Sequence, residues 1–308
     1  MKIKIFKAVL YSVINPILFL KYIERNILLV LMPRKLFHRR LQKNPYINFK
    51  NILYGLDQKS PVTQKGLIDS YSDYLITEKA IKSVLFSVNE VDVEKNIKKF
   101  LKKGDVFFDV GAHFGYFSAL GAACVGEKGQ VHMFEPAPLC FDYLKNLQTK
   151  NSNYRFVINK VGVGNEKKNI DLLLSPPPHL SSHTLVPNFL ETKNLTVYQK
   201  IKVPIIRLDE YIEKIKIVPK LIKIDVEGYE YMVLKGLEKL FKNTTQRPVI
   251  ICEISPSAHS LLGHSLEQLY KYMYSYDYKA FYSWNASIEI KNIKNPMGNN
   301  VIFRAPKQ

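Results

Sequence analysis

Between Gly104 and Ser118 the chain reads as a buried strand, a tight glycine turn and the start of a helix. Val106, Phe107, Phe108 and Val110 form a short apolar run, as in a strand covered on both faces. Asp109 interrupts that run just before the turn. Gly111 and Gly115 bracket Ala112, His113 and Phe114, and glycine lets a backbone bend sharply and come close to a ligand. A helix starting near Phe114 would aim its unpaired N–H groups back at the crevice. From Lys102 onward strand and helix alternate, the pattern of a parallel sheet. The spacing predicts strands at 106–110, 130–134, 156–159, 221–224 and 249–254, and helices at 114–123, 139–150 and 229–241. Strands at 278–282 and 301–304 would complete the sheet, the final one antiparallel. The expected fold is α/β: a doubly wound, mostly parallel seven-stranded sheet with an N-terminal helical extension.

Ligands of open α/β sheets sit outside the carboxyl ends of the strands. Asp109, Glu135, Asp225, Glu227 and Glu253 all fall at or just past such ends. A carboxylate in the place of Glu135 can accept both hydroxyls of a ribose. The dinucleotide fingerprint needs glycines at its first, third and sixth positions, and Gly111, His113 and Tyr116 break it. Asp-x-Gly-x-x-x-Gly followed by a ribose-binding Glu suits S-adenosyl-L-methionine instead. That molecule has a methionine tail and a nucleoside but no pyrophosphate. The cofactor-binding candidates are Asp109, Gly111, Ala112, His113, Gly115, Glu135 and Asp225.

The segments Asp109–Ser118, Phe134–Pro136 and Lys223–Gly228 together resemble the FkbM family of methyltransferases. Val233–Gly236 and Ile251–Glu253 continue the likeness, which covers about Lys102 to Arg304. The block Lys-Ile-Asp-Val-Glu-Gly at 223–228 is its most specific part. His113 departs from the pattern, where the family usually shows Asn. The resemblance implies a class I, Rossmann-like methyltransferase domain that uses S-adenosyl-L-methionine. It also implies O-methylation of a hydroxyl on a glycan, glycolipid or polyketide-like metabolite.

Such a transfer must position the acceptor and remove a proton from a weakly acidic hydroxyl. The catalytic candidates are Asp225, Glu227, Glu253 and His259. Asp225 ends an apolar strand, and Gly228 lets the chain turn close to a ligand. Asp225 and Glu227, two apart, would raise one carboxyl pKa between them. Each also has a plainer role available: Asp225 as a helix cap, Glu227 as an acid at a helix N-terminus, Glu253 as a partner for one of many lysines.

The net charge of +18 calls for an anionic partner or surface. Residues 1–45 hold ten Lys or Arg against Glu24 alone, a net +9, interleaved with uncharged apolar runs too short to span a bilayer. Two readings stay open for this segment: a basic amphipathic anchor on an anionic membrane surface, or helices packed on the main domain. The organisation expected is 1–45 as that segment, 46–103 as a mostly helical lead-in with a strand near 46–54, and 104–308 as the methyltransferase domain. An insertion at 170–204 holds Ser175-Pro-Pro-Pro-His-Leu-Ser-Ser-His183, a substrate lid or an ordinary surface loop. Three scattered cysteines favour a reducing compartment, so the expected location is cytoplasmic, at the inner face of the membrane if 1–45 binds it. No metal is expected, since prolines break any helix that would pair His179 with His183. Nucleic-acid methylation is the runner-up, because Ser175 and His179 flank the prolines where an amide or acid and an aromatic are needed. A non-catalytic S-adenosylmethionine-binding module is the other alternative.

Overall fold

In the computed structural model the residues described are 90–176, 179–243, 246–291 and 300–306. Residues 1–45, the strand expected near 46–54 and the rest of the lead-in up to residue 89 lie outside them. The lead-in closes with helix α1 (Val91–Phe100), whose buried face is Val93, Asn96 and Ile97. Then follow β1 (Val106–Val110), α2 (Tyr116–Val125), β2 (Gln130–Phe134), α3 (Pro138–Lys150) and β3 (Arg155–Asn159). After the insertion come α5 (Leu208–Ile215), β7 (Leu221–Ile224), α6 (Glu230–Lys235), α7 (Glu238–Asn243) and β8 (Val249–Glu253). Two further helices, α8 (Pro256–Leu261) and α9 (Leu266–Tyr274), lead to β9 (Lys279–Tyr282) and β10 (Asn300–Arg304).

Seven of these strands make one sheet in the order β3-β2-β1-β7-β8-β10-β9. Every pair is parallel except those made by β10, which is antiparallel to both β8 and β9. The sheet is therefore the doubly wound, mostly parallel one that the alternation predicts. Its central strands are apolar because both faces are covered: Leu221, Ile222 and Ile224 are fully buried, as are Phe107 and Phe108. α2 is buried almost all round, with Gly121 letting it settle on the Phe107 ring. The three cysteines are free and buried. Among the described residues no helix is long and apolar enough to cross a membrane.

Two expectations need correction. The insertion is not a plain loop. It carries a second, three-stranded sheet in which β6 (Gln199–Ile206) lies between β4 (Gly162–Val163) and β5 (Lys168–Leu174). A short helix, α4 (Phe189–Thr192), sits in its connection. The helix expected over 229–241 is broken at Gly236, where a side chain would stand 2.1 Å from the backbone oxygen of Gly164. The break brings the N-terminus of α7 onto Asp209, on α5. Buried Asp209 accepts from Arg207 at 2.6 Å and from the Lys239 backbone N–H at 3.0 Å. Asp209→Ala would uncap α7 and leave the guanidinium without its main partner. A loss of about 2–4 kcal/mol in urea-unfolding stability is expected.

Candidate active site

β1 and β7 lie side by side where the connections change direction, one set running out to β2 and β3 and the other to β8. Such a switch point leaves a crevice at the carboxyl ends of the strands. Here it is a cavity of about 370 Å³. Its walls are the turns after β1, β2, β7 and β8, roofed by Leu172, His183 and Leu185 of the insertion.

The β1 turn is held by its backbone. The N–H groups of Gly111 and Ala112 donate to the Phe134 carbonyl at 3.0 and 3.2 Å. Gly111 has φ +80°, and a side chain there would stand 1.8 Å from the Asp225 backbone oxygen. The close approach that requires glycine at this position is thus to the neighbouring strand. His113 also has positive φ, +50°, a region that Asn and His tolerate better than most residues. Its backbone N–H donates to Glu135 Oε2 at 2.8 Å, and its ring Nε2 donates to the Leu180 carbonyl at 3.1 Å. The other oxygen of Glu135 accepts from the Ala137 N–H at 2.8 Å. Each carboxylate oxygen so holds one donor and keeps a lone pair. Burial pushes the Glu135 carboxyl up to about 7.

Asp109 lies behind this turn and not on the wall. Its Oδ2 accepts from Ser118 Oγ at 2.5 Å, while Oδ1 has no partner among the described residues. Burial pushes this carboxyl up to about 6. Gly115, also at positive φ, opens α2 and packs on Leu144 and Leu147, so it shapes the turn without lining the cavity.

The second acidic group has a centre that the sequence reading missed. Lys223, in the middle of apolar β7, is 2% exposed. Its Nζ is 2.7 Å from Asp225 Oδ2 and 4.6 Å above the Phe117 ring. Burial works against its charge, yet the carboxylates of Asp225, Asp109 and Glu90 hold its pKa above the ordinary lysine range. Burial likewise opposes ionisation of Asp225, but Lys223 and a hydrogen bond from Glu253 hold that carboxyl below its usual value. Glu253, facing ionised Asp225 and buried, is pushed up to about 11. The two shifts run in opposite directions, so a proton held between the pair is favoured on Glu253. The expected coupling of Asp225 with Glu227 is joined by this stronger one to a residue on the next strand. Glu227 is pushed up to about 6, by burial first and Asp225 second, against Lys193, whose Nζ is 2.5 Å away.

Asp225, Glu227 and Glu253 offer oxygens within 4.8 Å of one another, close enough to share a cation, although two of the three already hold an ammonium. This grouping was not legible in the sequence because it joins the turn after β7 to the end of β8. His259 is not brought to the cavity. It is buried in α8 and kept neutral, its pKa lowered by burial to about 4. His183, read only as half of a metal pair, instead lines the cavity, its Nδ1 accepting from the Ser175 N–H at 3.1 Å.

An acid-lined cavity at the β1–β7 switch point, with free lone pairs on Glu135, fits a cationic nucleoside ligand. The sheet order and acid-tipped turns are those of a class I, Rossmann-like methyltransferase. The family model described as the methyltransferase FkbM domain matches residues 109–280. The chain belongs to the FkbM methyltransferase family, and its cofactor is S-adenosyl-L-methionine. It is 28% identical over 151 residues to a hexuronic acid methyltransferase from Haloferax volcanii, covering 48% of this chain and 56% of that protein. The chain thus matches only about half the length of that relative. Among solved structures it is similar to an S-adenosylmethionine-dependent O-methyltransferase from Thermotoga maritima (TM-score 0.39, 12% identity, 73% of this chain and 69% of that one). It is also similar to fibrillarin from Aeropyrum pernix with natively bound S-adenosyl-L-methionine (TM-score 0.37, 11% identity, 66% of each chain).

The raised pKa of Asp109 makes a pH prediction. Its folded value of about 6 lies above the unfolded one near ~4. Such a group favours folding at low pH, and that contribution is lost as pH rises through the folded pKa. Asp109→Asn is therefore expected to compare with the wild type about 2 kcal/mol more favourably at pH 8 than at pH 4. Urea titrations of both proteins without cofactor at the two pH values check this.

Proposed function

We propose that this methyltransferase acts on a hydroxyl oxygen of a sugar-like acceptor, free or in a glycan or glycolipid. The observation that carries this is the Lys223–Asp225–Glu253 group, which keeps one carboxylate ionised on the wall of the cavity. The hexuronic acid methyltransferase relative supports a sugar as acceptor. Gly111, Ala112, His113 and Glu135 would hold the cofactor, with Glu135 receiving the ribose hydroxyls and Asp109 and Gly115 supporting the turn from behind. S-adenosyl-L-methionine, when bound, supplies an electrophilic methyl group and leaves as a neutral thioether. Asp225, clamped by Lys223, accepts a hydrogen bond from the acceptor hydroxyl and fixes its direction. Glu227, with a pKa of about 6, takes the proton near neutral pH. Glu253, carrying its own proton, holds Asp225 in place. His259 stands off the wall and is given no role.

Asp225→Asn keeps the shape and removes the charge. Its single-turnover rate should fall ~10²-fold or more, while cofactor affinity stays within a few-fold. Glu227→Gln should cost a similar factor and remove the acid limb of the pH–rate profile near 6. A collapse of affinity with a normal chemical rate would make Asp225 a cofactor ligand and refute the assignment.

The +9 of residues 1–45 supports docking of this segment on an anionic membrane surface at the inner face. The full chain is expected to float with vesicles rich in phosphatidylserine and not with neutral ones. A version lacking residues 1–45 should float with neither.

A further inference from the structure

The chain has a single tryptophan, and it stands in the open. Trp284 is 52% exposed, in the turn just after β9. Its ring lies 5.3 Å from that of Tyr282, at 31° to it. Val91, at the start of α1, and Ile288, further along the same turn, are exposed as well. Apolar side chains scattered singly over a surface call for no explanation, but a cluster around a stacked aromatic pair does.

The strand directions put this turn at the edge of the sheet where the cavity lies. β10 is antiparallel to both β8 and β9, so β9 runs with β8 and ends at the same edge. Tyr282 is opposite Val301, and Val301 is opposite Cys252, the residue before Glu253 on the cavity wall. The aromatic pair therefore stands two strand spacings, ~10 Å, from the strand that carries Glu253. The start of α1 ties the two places together. Glu90, on the cavity wall, accepts a hydrogen bond from Asn300 at 3.3 Å. Two residues on, Asp92 accepts from the Ser283 hydroxyl, and Asn96 donates to the Ser283 carbonyl at 2.7 Å. Beyond Trp284 the turn is held by Arg304, which donates to the Ala286 carbonyl at 2.6 Å. The rings are thus presented by a fixed turn, and binding need not order it.

We infer that Tyr282 and Trp284 form a second sugar subsite, which takes a unit of the acceptor other than the one that is methylated. This rests on the methyl-transfer reading above and narrows the acceptor to a chain of sugars. A sugar ring has C–H faces that pack on an aromatic surface and hydroxyls round its rim that need polar partners. The turn offers both, with Asn285 and Ser287 exposed beside the rings. A protein partner fits less well, since stable interfaces use about 20–30 residues a side and this patch is a few side chains. The distance across two strands is more than one ring bridges, so only a chain fills cavity and platform together.

The test uses the full-length protein, S-adenosyl-L-methionine labelled in its methyl group, and a glycan extract of the source cells. The extract is separated by size into chains and single sugars, nucleotide-linked ones included. At equal, sub-saturating concentration the chains should take label about tenfold faster or more. In Trp284→Ala that preference should fall to within about twofold, through a higher KM and not a lower kcat. Trp284→Phe keeps a flat ring and should restore most of it. Equal labelling of single sugars, or a preference that survives in Trp284→Ala, overturns the inference.

A second measurement needs neither a variant nor turnover. The emission of the single tryptophan reports on the platform directly. With S-adenosylhomocysteine bound, the chain fraction should move that emission to shorter wavelength as the ring leaves water. Unchanged emission at concentrations that saturate transfer also overturns the inference. Absence of transfer to any fraction, by protein that binds S-adenosylhomocysteine in calorimetry, would instead overturn the methyl-transfer reading, and this inference with it.

Discussion

One buried ammonium sets the chemistry of the crevice. Lys223 and Asp109 are direct partners across the β1–β7 pairing, and Asp225 follows Lys223 by two residues, just past the end of β7. Burial alone would protonate carboxyls crowded in this way. A cation 2.7 Å from Asp225 reverses that for the nearest of them and leaves the proton on the next, Glu253. Asp225 is thus kept ionised by Lys223, while ionised Asp225 and burial together push Glu253 up. Removing one partner of such a buried pair is far more damaging than never having had it. The Phe117 ring below Lys223 supplies what solvent would otherwise give.

The insertion gives the site its second support. Its hairpin, β5 with β6, is joined to the main sheet's crevice at two places. Leu180 takes a hydrogen bond from the His113 ring in the turn after β1, and Thr184 gives one to the Glu227 backbone in the turn after β7. Both contacts come from the stretch just after β5, whose Thr184 also bridges to Leu173 by paired backbone hydrogen bonds. A single short segment therefore braces the two strained non-glycine residues of the site, His113 and Glu227. The binding turn and the acid-bearing turn share one brace.

Much of this was legible in the residues. The apolar runs at 106–110, 130–134 and 221–224 are strands with those bounds, because central strands of a parallel sheet must be apolar on both faces. The insertion was not legible: β6 alternates Lys200, Ile201, Lys202, Val203, a readable period of two, but Pro204 and the proline run before His179 argue against strands there. The helix break at Gly236 depends on the Gly164 carbonyl, 72 residues away in sequence, and no local pattern carries it. Lys223 left a signal that could have been used. A lysine between Ile222 and Ile224 in a buried strand must have a charged partner, and Asp225 was the obvious one. That Glu253 would be the other member could not be read, since it depends on the register of β8 against β7.

The position of β10 has a consequence for how the molecule is made. It lies between β8 and β9, yet it follows both in the chain. During synthesis every strand that will touch it is therefore finished first. The edge of β8, with Ile250, Ile251 and Cys252 fully buried in the final sheet, must wait with its backbone groups unpaired until Val301–Phe303 arrive. An open apolar edge of this kind recruits other chains. The nascent protein is thus most exposed to aggregation in the interval between the translation of β8 and that of β10, and a ribosome stalled there would release a sheet with a vacancy one strand in from its edge.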